Sequence, residues 1–163
     1  MSSPDPRRAP SAGVSALLAL VLATIGFFAL AVFGLGALSF ATDADIIAVP
    51  NLGQGPGVTG MAAAVATFAL SLWIALRPPR PSFLSVLTVA ILTALIHLAA
   101  VWFAVLLGTS DLIVSTVVAG DLVRGGASAV LLLAAAVSSW SGIALRRTRA
   151  QHPHWPWEEH GDE

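Results

Sequence analysis

The sequence predicts an all-α integral membrane protein, a four-helix bundle with both its N-terminus and its C-terminus cytoplasmic. Three observations carry this. Hydrophobic residues make up 56% of the 163 residues. Charged residues make up only 10%, against roughly 25% in a soluble domain. The mean hydropathy is +0.84. So few charges cannot cover the surface of a soluble fold. The length must be shared among spans of about 20 apolar residues, the number that crosses a hydrocarbon core about 30 Å thick.

The elements follow in order. Residues 1–11 form a cytoplasmic tail with Arg7 and Arg8, and Pro10 sits where proline suits a helix start. Transmembrane helix 1 covers 12–40, uncharged throughout and long enough to tilt. A secretory signal has a shorter apolar stretch, about 7–15 residues. Ala37 and Ser39 nevertheless offer a small-residue cleavage site, and cleavage would leave the orientation of the rest unchanged. The outer loop, 41–57, is a flexible connection with Ile46, Ile47 and Val49 set to pack on the bundle. Helix 2 covers 58–76. The cytoplasmic turn, 77–82, holds Pro78, Pro79 and Pro81, which end one helix and precede the next. Helix 3 covers 83–107 and is interrupted only by His97.

The second outer loop, 108–121, is too apolar for a freely solvated loop. It reads as a short interfacial helix capped near Ser110 or Asp111. Helix 4 covers 122–145 and contains Arg124. The cytoplasmic tail, 146–163, carries His152, His154 and His160 beside Trp155 and Trp157. Its prolines block a helix and its histidines match no rigid metal spacing. It reads as a short tail with its tryptophans at the interface, or as a docking peptide.

Arginine placement sets the orientation. Arg7, Arg8, Arg77, Arg80, Arg146, Arg147 and Arg149 share one side if the chain crosses four times. Asp43, Asp45, Asp111 and Asp121 share the other, with Arg124 near them. The positive-inside bias makes the arginine side cytoplasmic, in the cell membrane. Trp73, Trp102 and Trp140 lie near the helix ends, where belt tryptophans reach the interface.

Packing is expected to run through small residues. Lipid gives one apolar helix little reason to leave acyl chains for another, so close backbone approach supplies much of the association. Helix 2 offers Ala63, Thr67, Ser71 and Ala75. Helix 4 offers Gly125 and Ala129, then Ala134, Ser138 and Gly142. Helix 1 offers Ser15, Ala19 and Ala23.

Four polar residues are candidates for function at membrane depth. His97 shares one arc of helix 3 with Ala90, Thr93, Ala100 and Ala104, so it points into the bundle. An intramembrane ionisable group is a functional candidate by default. The structural alternative is a neutral imidazole bonded to a neighbouring helix. Arg124 lies about one turn into helix 4, with Asp121 as its N-cap and ion-pair partner. Together they read as a snorkelling anchor, or as an anion-attracting outer mouth.

Other chemistries find no support. Cysteine is absent, which removes thiolate metal sites and thiol redox chemistry. No second membrane histidine accompanies His97 as a haem ligand. Glycines 53, 55 and 57 precede a helix but lack the second strand of a dinucleotide unit, and Pro56 removes a backbone donor. Asp43 and Asp45 are too few for a cation cage. Nucleophile elbows, zinc-protease motifs and phosphate loops are absent. The net charge of −1 gives no global field to attract nucleic acid or acidic lipid. No cofactor is expected, and no enzyme activity.

The span count, the outer segment 43–50 and the glycine-rich approach to helix 2 resemble small uncharacterised four-span membrane proteins of GC-rich Gram-positive bacteria. All eight basic residues are arginine, in keeping with such a coding bias. The resemblance implies no activity. The favoured reading is a non-enzymatic accessory or scaffold subunit, in contact with membrane lipids and with other membrane proteins or copies of itself. The alternative is a small oligomeric transporter or channel. It would use the polar face around Thr93 and His97, with Arg124 at the outer mouth.

Overall fold

The computed structural model describes residues 14–43, 53–78 and 81–147. The 1–11 tail, most of the first outer loop, Arg80 and the 148–163 tail with its histidines and tryptophans lie outside the described residues.

All regular structure among the described residues is helical, and each helix boundary has a local cause. Helix α1 (Ala16–Thr42) starts where the Ser15 hydroxyl accepts the Leu18 N–H at 3.1 Å. It ends at Asp43, whose left-handed backbone (φ 50°) directs its N–H to the Ser39 carbonyl. Helix α2 (Gly55–Leu76) begins three residues before the expected span. Pro56 falls in its first turn, where a missing N–H costs nothing. Helix α3 (Leu84–Thr109) closes at Ser110, again left-handed (φ 56°) and bonded back to Leu106 at 2.7 Å.

The next segment departs most from expectation. Helix α4 (Leu112–Arg124) runs through Asp121 and Arg124, and helix α5 (Ala127–Arg147) starts only after it. The last long helix therefore begins at 127, not 122. Gly125 and Gly126 divide the two. Gly126 adopts φ 89°, which an L side chain tolerates poorly, so the chain turns there. At the front of α4, one carboxylate oxygen of Asp111 accepts the N–H groups of Ile113 (2.7 Å) and Val114 (3.2 Å).

Four of the five helices, α1, α2, α3 and α5, are long and apolar enough to cross a membrane. Helix α4 has 13 residues and is too short to cross. Most of the outward-facing side chains on the long helices are apolar and exposed, as Leu17, Phe33, Leu70 and Leu133 are. That is the surface of a bundle solvated by lipid.

The long helices form a ring in the order α1, α2, α3, α5, with α5 closing back on α1 and with α1 and α3 out of contact. Helices α1 and α5 run antiparallel in close register. A Cβ on Gly142 would lie 2.9 Å from Cβ of Ala23, and one on Gly34 would lie 2.6 Å from Cγ1 of Val130. The stripe Ala134, Ser138 and Gly142 faces inward and is buried, as are Ala19 and Ala23. On α2 the buried seam is Gly60, Ala64, Phe68, Leu72 and Leu76. The expected stripe of Ala63, Thr67, Ser71 and Ala75 is only half-buried at its flank.

The core has two parts. Toward the arginine end, Phe27 stacks on Phe68 (centroids 4.5 Å apart, planes at 12°) among Leu72, Leu76, Val89 and Ile143. Toward the aspartate end, Val101 and Val105 of α3 pack with Leu122 of α4 and Ala127 of α5. Helix α4 thus plugs that end of the bundle. The Trp102 indole N–H donates to the Thr116 hydroxyl at 3.4 Å and ties α4 to α3.

Candidate functional site

The polar centre of the bundle lies on α3. Thr93 and His97 are one turn apart on its buried face, 0% and 4% exposed. The stripe continues through Val101 and Val105; Ala100 and Ala104, expected on it, are half-buried at its edge. The helix α2 residue opposite is Gly60. A Cβ there would lie 3.1 Å from both Cδ2 and Nε2 of His97. Glycine therefore makes room for the imidazole, which rests against bare α2 backbone.

Two polar atoms of this centre have no hydrogen-bond partner: Nδ1 of His97 and Oγ1 of Thr93. The Thr93 hydroxyl differs in this from Thr24, Thr109 and Thr116, each of which donates to the carbonyl four residues back. On α5 the buried Ser138 Oγ is also unpartnered, close to Gly26 of α1. Burying such groups without partners is costly. With Ser128 Oγ and Arg146 Nε, they are the buried side-chain atoms among the described residues that can still make a polar bond.

Arg124 and Asp121 do not belong to this centre. Both sit in the last turns of α4, and their side chains are 82% and 65% exposed. Their atoms approach to 3.8 Å across three residues of one helix. An exposed pair of this kind contributes little to stability. Asp121 does not cap the last long helix; its carbonyl accepts the Gly125 N–H that ends α4. Among the described residues, no group of three or more His, Asp or Glu side chains could hold a metal.

Sequence reasoning missed two features. One is Gly60, which lies far along the chain from His97. The other is the arginine end. There Nη1 of Arg146 donates to the Val14 carbonyl at 3.3 Å, joining α5 to the start of α1. The Arg147 guanidinium lies 4.7 Å from the centre of the Phe83 ring, and that of Arg77 lies 5.9 Å from the Trp73 ring.

The model of the family of unknown function DUF6121 matches residues 12–163. The chain belongs to that family. The match spans all five helices and the whole of the Thr93–His97 centre. No curated protein and no solved structure matches the chain.

Proposed function

We propose that the protein is a non-enzymatic accessory or scaffold subunit of a larger assembly in the cell membrane of a GC-rich Gram-positive bacterium. Its four long helices all cross, and both termini are cytoplasmic. The apolar plug at the arginine half carries this reading. The Phe27–Phe68 stack, Leu72, Leu76 and Ile143 are fully buried across the ring of helices. A hydrophilic solute would need polar partners along that length, because lone polar groups are costly there. A solid bundle instead offers its outer faces. Ala62 and Ala66 on α2 are exposed, as are Gly36 and Ala37 on α1. Small residues on a lipid-facing surface permit close approach by another helix.

Photocrosslinking in native membranes tests this. A photoreactive side chain at Gly36 or Ala66 is expected to trap a discrete polypeptide, and one at Leu133 to trap lipid. Repeated mild extraction of a lone monomer, without crosslinks at either position, would overturn the proposal.

One observation favours a transporter or channel instead: the unpartnered Nδ1 of His97 and Oγ1 of Thr93. On that reading liposomes bearing the protein conduct some ion or solute, and His97→Ala abolishes the flux while the fold persists. On the accessory reading, a broad panel of ions and solutes gives no flux with either protein.

A further inference from the structure

The arginine end carries positive charge held by neutral partners. Among the described residues, Arg77, Arg146 and Arg147 lie at this end, and the carboxylates Asp43, Asp111 and Asp121 all lie at the other. Arg146 is fixed by a backbone carbonyl and Arg147 by an aromatic ring. Such partners orient a guanidinium without neutralising it. Arg147 thereby keeps a planar fork of N–H donors suited to a carboxylate or a phosphate, while Arg146, with its Nε buried, has only its Nη groups to offer.

The surface beside this charge is apolar. Leu84, Leu87 and Ile91 lie on α3 immediately after Phe83 and are 82%, 62% and 42% exposed. Their spacing puts them in one ridge that runs from the charged rim toward the middle of the helix. An occupant that fits both parts has an anionic head and a long apolar tail.

We propose that this end is a binding site for an anionic phospholipid. Arg147 and Arg146 hold the headgroup phosphate, and one acyl chain lies along Leu84, Leu87 and Ile91. Arg77 adds charge at the same rim. The proposal does not depend on the accessory reading, since either function could use a bound lipid.

The test is native mass spectrometry of the full chain after equilibration with equimolar phosphatidylglycerol and phosphatidylcholine. The wild type is expected to retain phosphatidylglycerol selectively. Juxtamembrane basic residues contribute about 1 kcal/mol each, so removing two converts to an affinity loss of about thirty-fold in Arg146→Gln/Arg147→Gln. Arg147→Gln alone leaves the Arg146 contact to α1 intact and is expected to lose about five-fold. It keeps the test meaningful if the double variant fails to fold. Arg124→Gln, at the other end, is expected to retain the lipid like wild type.

Several results would overturn the proposal. One is equal retention of the two lipids. Another is undiminished phosphatidylglycerol in Arg147→Gln. Retention of soluble glycerol 3-phosphate equal to that of phosphatidylglycerol would assign the arginines to a free phosphate ester.

Discussion

Replacing Gly60 by alanine is expected to destabilise the bundle by about 1–3 kcal/mol, the usual cost of overpacking a filled core. The added Cβ would overlap Cγ2 of Val101 and lie 3.1 Å from two atoms of the His97 ring. Val101 is fully buried and β-branched, so it has one favoured rotamer in a helix and nowhere to swing. The backbones of α2 and α3 must therefore part. Titration from mild detergent into denaturing detergent measures the loss. The control is Gly36→Ala on α1. A Cβ there meets nothing within 4 Å, and alanine is the better helix former by roughly 1 kcal/mol. Opposite signs for the two substitutions would confirm that close approach, not glycine content, matters. Gly60→Ala unfolding like wild type would show that α2 does not approach α3 this closely.

Phe68→Ala is expected to have the second large effect. In water-folded cores, Phe→Ala costs about 3–5 kcal/mol, combining transfer and cavity contributions. The transfer part largely disappears when the surrounding solvent is lipid, because acyl chains are as apolar as the core. The lost dispersion contacts remain, above all those with Phe27 at 4.5 Å. A loss on the order of 2 kcal/mol follows. A double-mutant cycle with Phe27→Ala is expected to return a coupling of about 0.5–1.5 kcal/mol, the range for an aromatic pair. Strict additivity of the two substitutions would exclude the stack.

These two positions also show where sequence reasoning reached its limit. Apolar length and proline placement located the long helices, because crossing a membrane is a demand on composition. Which face of each helix turns inward was less legible. On α2, Ala63, Thr67, Ser71 and Ala75 form a four-residue repeat, and so do Gly60, Ala64, Phe68 and Leu72, one position further round. In water the apolar stripe would decide between them. In lipid both faces are apolar, and only contact with another helix breaks the tie. The structure buries the seam that has a glycine opposite an imidazole and a ring opposite a ring.

The end of α4 was missed for a different reason. Residues 122–145 stay apolar around a single arginine, so a continuous span was the simplest parse. The signal that could have corrected it was Gly125-Gly126 directly after Arg124, a common way to end a helix. His97 and Thr93 were legible because an ionisable group in an apolar helix stands out, and their shared face follows from a four-residue spacing. Their missing partners were not, since those depend on how α2 and α5 approach.

The pairing of α1 with α5 imposes an order on biogenesis. Helices α2 and α3 are joined by a short turn and can meet as soon as both have left the ribosome. The face of α1 that carries Ala19, Ala23, Gly26 and Gly34 fits α5, which is made after the other described helices. Throughout most of synthesis that face has only lipid, or the insertion machinery, against it. The nascent chain is thus a partial bundle in which α1 can meet α2 through Phe27 and Phe68 but keeps one face unmatched until α5 arrives. Truncation within α5 would then leave an open ring, a form that membrane quality control could recognise and degrade.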